Sequence, residues 1–195
     1  LKAAIPSESG LYTLLRYHMG WVDQDGNPIL APQGKILRPS LCLFVCEAFS
    51  GDWRKALPAA VSIELIHNFS LIHDDIQDGD TQRRHRPTVW YSWDKAKAIQ
   101  AGNAMRSLAE LKALRLGDLG EPLDVIAIVI SAIAQSCQEM IEGQFLDLQF
   151  QTQSDIGIYE YMDMISRKSG ALIEASLYVG ALLGGCDAAK LSAIR

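Results

Sequence analysis

The sequence has little that points to nucleic acid, to a disulfide framework or to a membrane. Its 195 residues carry 18 Lys and Arg against 23 Asp and Glu, so the basic excess typical of nucleic-acid-binding proteins is missing. The 4 cysteines lack paired metal-ligand spacing, which favours a reduced, cytoplasmic protein. The most apolar run, near 171–185, is interrupted by Glu174 and several glycines, and it is too short and too mixed to span a bilayer. We therefore expect no nucleic-acid partner and no transmembrane segment.

Strand-like alternation and internal repeats are also missing, and helical periodicity takes their place. Apolar residues recur at steps of three and four, which predicts amphipathic helices. Hydrophobic residues make up 49% of the chain, enough for a sizeable core. The sequence thus predicts an all-α bundle around a central apolar cavity, in a single domain covering 1–195. The predicted helices cover 11–21, 39–49, 58–78, 96–117, 122–150 and the segment from 155.

One of these helices ends in a cluster of carboxylates. Asp74 and Asp78 are four residues apart, so their side chains lie on one helix face, a turn apart. In the last turn they repel one another and face the negative end of the helix dipole. This arrangement is unfavourable unless a cation binds there, and Mg²⁺ is usually held by carboxylates together with substrate phosphates. We therefore predict a magnesium site formed by Asp74, Asp75 and Asp78.

Two arginines follow the carboxylates at once. The planar guanidinium groups of Arg83 and Arg84 suit phosphate oxygens. The alternative for this segment is a solvated, charged helix end. The apolar run before the aspartates and the arginine pair after them favour a metal–diphosphate site instead.

The segment Ser70-Leu-Ile-His-Asp-Asp-Ile-Gln-Asp78, with Arg83-Arg84 and Pro87-Thr-Val-Trp90 after it, resembles a known motif. It is similar to the first aspartate-rich region of the trans-isoprenyl diphosphate synthases, and the similarity covers most of the chain. The resemblance implies an isoprenoid-synthase-like fold and a Mg²⁺-dependent, homodimeric, cytoplasmic prenyltransferase. Such an enzyme condenses isopentenyl diphosphate head to tail with an allylic diphosphate.

The resemblance also implies roles for residues along the whole chain. It makes Lys168 catalytic together with Asp74, Asp75 and Asp78, while Asp147 supports the site. The residues implied to bind isopentenyl diphosphate are Lys35, Arg38, His67 and Arg84. The residues implied to bind the allylic diphosphate are Arg83, Gln144, Lys168 and Ser169. Gln33 departs from the family, which has glycine at that place.

Two residues of the same helix are predicted to set the length of the product. Ser70 lies one turn before Asp74 on the same face and leaves room for a growing hydrocarbon tail. Phe69 stands next to it and forms part of a floor. An aromatic residue at this place resembles geranylgeranyl synthases, so we expect a geranylgeranyl product, with farnesyl or longer products as alternatives.

The second aspartate-rich motif of the family is missing after Lys168. Family members are also longer, so we expect this sequence to be truncated at both ends. The absence keeps open a non-catalytic subunit of a heteromeric prenyl synthase. A further alternative is an HD-type metal phosphohydrolase that uses His67, His73 and Asp74, although it gives no role to the basic residues.

Overall fold

The computed structural model describes residues 1–8, 10–32 and 34–194, so Gln33 lies outside the described residues. Its α-helices are α1 Leu11–His18, α2 Leu37–Ser50, α3 Leu57–Gln77, α4 Val89–Ser92, α5 Lys95–Ala113, α6 Leu123–Phe150, α7 Ile158–Ile165, α8 Ala171–Leu183 and α9 Ala188–Ser192. Short 3₁₀ turns cover Lys2–Ala4, Trp53–Ala56 and Leu114–Leu119. The all-α class predicted from the sequence is confirmed.

Four helix boundaries differ from the prediction by more than one residue. Helix α1 ends at His18 and not at residue 21, and α2 begins at Leu37, ahead of Pro39. The helix predicted to reach residue 117 ends at Ala113 and continues as the 3₁₀ turn Leu114–Leu119, which Gly120 terminates with a φ of 83°. The helix predicted from residue 155 begins only at Ile158. Gly157 precedes it, and its backbone N–H donates to the Glu160 carboxylate, which satisfies a free donor at the helix start.

The segment that follows α3 contains strands that the sequence did not predict. β1, Gln82–Arg83, pairs antiparallel with β2, Arg86–Pro87. Each strand has two residues, which is too short for any alternation of apolar and polar side chains to be seen in the sequence.

Helix α3 ends as its acidic sequence suggests. Its last helical residue is Gln77, and the backbone N–H of Asp78 still donates to the carbonyl of Asp74, at 2.8 Å. Gly79 then adopts a φ of 73°, a left-handed conformation that ends helices and suits glycine. Asp74 and Asp75 therefore lie in the last turn of α3, and Asp78 follows the helix directly.

The chain divides into two compact units. Unit 1 contains Leu1–Ile36 and Glu64–Glu110, and unit 2 contains Leu37–Ile63 and the chain from Leu111. The core of unit 1 includes the buried side chains of Leu15, Leu65, Ile72, Val89 and Met105. The core of unit 2 includes those of Ile63, Leu116, Val129, Leu172 and Val179.

Close helix packing in unit 2 depends on glycine. α2 packs on α8, where a Cβ added to Gly180 would lie 3.1 Å from Cys42 Cα and closer still to the Cys42 carbonyl. Cys42 and Cys46 are buried free thiols on that face of α2, one helical turn apart. The two cysteines thus serve packing.

Helix α6 is long and apolar enough to cross a membrane by length and composition. The core helix of a soluble protein passes the same test, and α6 buries residues such as Val129 and Cys137 while packing on α8. The absence of a transmembrane segment therefore stays a prediction.

Candidate functional site

Asp75 is the most buried carboxylate of the α3 cluster. Its side chain is 1% exposed, and Arg83 Nε donates to Asp75 Oδ1 at 2.6 Å. The other carboxylate oxygen, Oδ2, is buried and has no hydrogen-bond partner among the described residues. Burial raises the pKa of Asp75 to about 6, although Arg83 opposes that rise. The structure therefore pairs Asp75 with the first arginine of the hairpin.

Asp74 and Asp78 are the less buried carboxylates of the α3 cluster and the more accessible to a metal ion. Asp74 is half-buried and Asp78 is exposed, one helical turn apart at the end of α3. Among the described residues, no group of three or more His, Cys, Asp and Glu side chains is gathered as a metal site. Two carboxylates on one helix face nevertheless fit Mg²⁺, which usually takes one or two carboxylates and substrate phosphates.

Arg84 sits at the turn of the β1–β2 hairpin and reaches towards Gly34. A Cβ added to Gly34 would lie 2.6 Å from Arg84 Nη2, so the guanidinium packs directly on the bare backbone there. Lys35 follows Gly34 and is exposed. Burial, followed by the charge of Arg83, lowers the pKa of Arg84. Two predicted diphosphate ligands, Lys35 and Arg84, are thus neighbours in unit 1.

A small polar pocket in unit 1 is lined by the hairpin and by α1. Among its lining residues are Tyr17, His18, Asp75, Arg83, Arg84 and Arg86. Three guanidinium groups against one carboxylate make this pocket a positive environment, which favours an anion.

His18 enters that pocket as a neutral imidazole. Asn68 uses its amide nitrogen for two bonds to Glu64, at 2.8 Å and 2.9 Å, so its Oδ1 is left to accept from His18 Nε2 at 3.2 Å. Burial is the main cause that lowers the pKa of His18 to about 3, and Arg84 and Arg83 lower it further. The proton of neutral His18 is therefore on Nε2.

Two other residues predicted to bind isopentenyl diphosphate lie in different units. His67 is half-buried on the part of α3 that belongs to unit 1. Arg38 is half-buried in the first turn of α2, in unit 2, directly before the buried Pro39. Pro39 is the third residue of α2, where its missing N–H leaves no helix bond unmade.

Lys168 forms an ion pair within unit 2. Its ammonium pairs with the Asp147 carboxylate of α6, and the two side chains are about equally half-buried. Lys168 lies in a π-helical turn, Ser166–Gly170, which contains the Ser–Gly pair 169–170. Ser169 in the same turn is exposed, and Gln144, three residues before Asp147, is buried.

The close approach of this turn to α6 requires glycine. A Cβ added to Gly143 would lie 2.6 Å from Lys168 Cα and overlap the Lys168 backbone nitrogen. The π-helical turn therefore rests directly on the backbone of α6, and Gly143 fixes the height of Lys168 above it.

The residues predicted to set the product length are both buried. Phe69 is 5% exposed and packs edge-to-face against the His73 ring, with 4.9 Å between ring centroids. Ser70 Oγ donates to the His67 carbonyl at 2.8 Å, which satisfies the hydroxyl inside the helix. The His73 ring in turn lies in the notch left by Gly102 of α5.

His73 does not serve the metal site that an HD-type hydrolase needs. Its Nε2 lies 3.2 Å from the carbonyl of Ile99, which can only accept, so Nε2 carries the proton. The ring is thus turned towards α5, which gives His73 a structural role.

Several residues of the site could not be found by reading motifs. The pairing of Asp75 with Arg83 joins residues eight apart and leaves no periodic signal. The same holds for the contact of Gly143 with Lys168 and for the hydrogen bond between His18 and Asn68. Only the fold brings these residues together.

Comparison with known proteins identifies the class to which this fold and site belong. Residues 20–195 match the model of the polyprenyl synthetase family. The chain belongs to that family, which confirms the resemblance to trans-isoprenyl diphosphate synthases.

The curated relatives of the chain include farnesyl and geranylgeranyl diphosphate synthases. The (2E,6E)-farnesyl diphosphate synthase of Mycobacterium tuberculosis is 44% identical over 172 residues, 88% of this chain and 46% of the relative. The geranylgeranyl diphosphate synthase of Methanosarcina mazei is 41% identical over 154 residues, 79% of this chain and 47% of the relative. The chain thus spans about half the length of these relatives.

A solved structure supports the fold. The crystal structure of a polyprenyl synthetase from Streptomyces coelicolor matches with a TM-score of 0.90 at 34% identity. The match covers 99% of this chain and 56% of that one.

Proposed function

We propose that the protein is a trans-prenyltransferase that condenses isopentenyl diphosphate with an allylic diphosphate. One observation carries this proposal: Asp74 and Asp78 lie at the C-terminal end of α3 while Asp75 pairs with Arg83, so carboxylates for a metal lie beside guanidinium groups for phosphate. The relatives named as farnesyl and geranylgeranyl diphosphate synthases support it.

In this proposal the chain's residues bind and orient two diphosphates. Asp74, Asp75 and Asp78 would hold Mg²⁺, whose positive charge would stabilise the departing pyrophosphate. Arg83, Gln144, Lys168 and Ser169 bind the same diphosphate, and Asp75 fixes the direction of Arg83. Lys35, Arg38, His67 and Arg84 orient isopentenyl diphosphate.

The reaction mainly requires stabilisation of the developing charges and exclusion of water from the allylic cation. The C–O bond of the allylic diphosphate breaks, and the double bond of isopentenyl diphosphate forms the new C–C bond with the allylic cation. A proton then leaves, carried off by the departing pyrophosphate, and the longer allylic chain remains. The side chains above act on the developing negative charge, and apolar walls keep water from the cation.

For the product we propose a geranylgeranyl chain. Phe69 is buried one turn and one residue before Asp74 and is held against His73, so it forms a fixed stop. Relatives at similar identity carry both farnesyl and geranylgeranyl names, so product analysis has to decide between them. Phe69→Ala should lengthen the product by at least one five-carbon unit, measured by mass spectrometry. An unchanged product distribution would remove Phe69 from this role.

The activity is tested by chain elongation. Purified protein with Mg²⁺, labelled isopentenyl diphosphate and geranyl or farnesyl diphosphate should give labelled longer prenyl diphosphates. Asp74→Asn and Asp78→Asn should each lower the rate by roughly a hundredfold or more, as expected when a charge stabiliser is lost. The exposed Asp80 offers the matched control, since Asp80→Asn removes the same charge outside the helix. Equal effects of all three exchanges would contradict the proposed roles.

We further propose a cytoplasmic homodimer. Helix α6 leaves large apolar side chains exposed, Phe145 at 61% and Ile141 at 46%. Such side chains favour association when they form a patch. Light scattering coupled to size-exclusion chromatography should give twice the monomer mass, and a monomer at micromolar concentration would contradict the dimer.

A further inference from the structure

The turn between β1 and β2 has a backbone conformation that its residues do not favour. Because Arg83 pairs with Arg86, the residues between them, Arg84 and His85, form a two-residue turn. Their φ angles are 53° and 63°. Positive φ at both central positions is the type I′ turn, in which Asn and Gly are preferred. Other side chains with a Cβ adopt it rarely, where the surroundings enforce it.

Arg86 supplies much of that enforcement through the end of α1. Its Nη1 donates to the carbonyl of Tyr17 at 3.0 Å and its Nη2 to the carbonyl of Val22 at 2.9 Å. The guanidinium carbon also lies 4.2 Å from the centre of the Tyr17 ring. Arg86 thereby joins β2 to two backbone carbonyls and to one aromatic face.

Tyr17 holds the hairpin from the same side. Its hydroxyl donates to the carbonyl of Pro87 at 2.9 Å, and its ring meets the edge of the Trp93 ring with 4.9 Å between centroids. Tyr17 is 4% exposed, so this bond is well shielded from water. The two residues together form what we name the Tyr17–Arg86 brace.

The brace determines where Arg84 points. Arg84 follows β1 and occupies the first position of the strained turn, and its guanidinium rests on the backbone of Gly34. If the turn relaxed towards negative φ, the Arg84 side chain would leave that place. The neighbouring Arg83 would keep its own contact, because Asp75 holds it.

We propose that Tyr17 and Arg86 are positioning residues that keep the Arg84–His85 turn strained and so aim Arg84 at a bound diphosphate. The proposal rests on the proposed function in giving Arg84 a diphosphate to bind. Neither Tyr17 nor Arg86 needs to touch the substrate, since both act through the backbone of the hairpin.

Binding of inorganic pyrophosphate to the purified protein, followed by calorimetry, tests this without any need for turnover. Arg86→Lys keeps the positive charge but cannot bridge two carbonyls in a fixed plane. We expect it to weaken pyrophosphate binding on the order of tenfold, the effect of a displaced binding group. Tyr17→Phe, which keeps the ring and loses only the hydroxyl, should weaken binding less. Arg106→Lys makes the same exchange on the exposed face of α5 and should leave binding unchanged.

A second exchange separates positioning from mere stability. Glycine adopts positive φ without a Cβ clash, so His85→Gly relieves the strain at one of the two turn positions and makes the turn less dependent on the brace. In the Arg86→Lys background it should restore pyrophosphate affinity to within about threefold of wild type, although it replaces no lost contact. In the elongation assay, Arg86→Lys should raise the KM for isopentenyl diphosphate while kcat changes less than about twofold.

The result of the pyrophosphate-binding test can be interpreted independently of the result of the elongation assay. Weakened pyrophosphate binding that His85→Gly restores supports the brace even if no elongation is found. Pyrophosphate affinity that is unaffected by Arg86→Lys, or too weak to measure in wild type, would overturn it even if elongation is normal. Loss that His85→Gly fails to restore would also overturn it.

Discussion

At the scale of single residues, the pairing of Asp75 with Arg83 stabilises the fold, and loss of one partner alone should destabilise it. Asp75 is almost fully buried, and Arg83 is the cation that contacts it. Removing one partner of a buried pair leaves an uncompensated charge, whereas removing both is much less harmful.

Arg83→Ala should therefore lower the free energy of unfolding by about 3 kcal/mol at pH 7.5. Adding Asp75→Asn should recover most of that loss, because a neutral amide replaces the stranded carboxylate. Urea denaturation of the two single variants and the double variant measures the coupling. Additive effects of the two exchanges would show that the pair is not coupled.

His18 gives the molecule a pH dependence of known sign. Its pKa in the folded state is about 3, below the ordinary value of 6.5. Between these pH values His18 is protonated in the unfolded chain and neutral in the folded chain. The free energy of unfolding therefore falls as the pH drops below about 6.5.

The loss amounts to at most about 1.4 kcal/mol for each pH unit. Between pH 7 and pH 5 the wild type should thus lose about 1–2 kcal/mol more than His18→Gln. His85→Gln, at an exposed position, is the matched exchange. An identical pH dependence for wild type and His18→Gln would contradict a neutral His18. Asp75 acts in the opposite direction over the same range, so the variants must be compared and not the absolute slopes.

At the scale of secondary-structure elements, the contact between α6 and the π-helical turn sets the place of Lys168. Gly143 leaves no room for a side chain, whereas a Cβ added to Gly170 would only come within 3.7 Å of Ser166 Oγ. Gly170 also has an ordinary helical φ of −70°.

Gly143→Ala should therefore destabilise the protein by about 2–3 kcal/mol, since backbone atoms must move apart. Gly170→Ala should be neutral or slightly stabilising, because alanine is the better helix former. Thermal unfolding followed by circular dichroism compares the two. Equal midpoints would show that α6 and the turn are not in contact as described.

The sequence predicted the elements well where they are long and periodic. α3 and α6 were anticipated within one residue at each end, because apolar steps of three and four persist over many turns. The β1–β2 hairpin was missed because two-residue strands carry no period. Its strained turn was missed because Arg84 and His85 are not residues that favour positive φ.

The candidate site divides in the same way. Motif spacing predicts a metal–diphosphate site at Asp74, Asp75, Asp78, Arg83 and Arg84, and this assignment stays a prediction. It could not show that Asp75 turns to Arg83, since that depends on how the hairpin folds back. Nor could it identify the Tyr17–Arg86 brace, whose members are far apart in the chain.

At the scale of the whole molecule, the central claim is that release of pyrophosphate is coupled to elongation of an allylic chain. Prenyl transfer joins two diphosphates, releases one pyrophosphate and lengthens the allylic chain by five carbons. A phosphohydrolase acting on the same substrates would release phosphate groups and lengthen nothing. A non-catalytic subunit would do neither unless a catalytic partner were added.

The most direct test is the stoichiometry of a single incubation with Mg²⁺, isopentenyl diphosphate and an allylic diphosphate. Prenyl transfer predicts equal amounts of released pyrophosphate and of newly formed C–C bonds, measured by a coupled pyrophosphate assay and by mass spectrometry of the prenyl products. Release of pyrophosphate or orthophosphate without any longer prenyl diphosphate would contradict the claim.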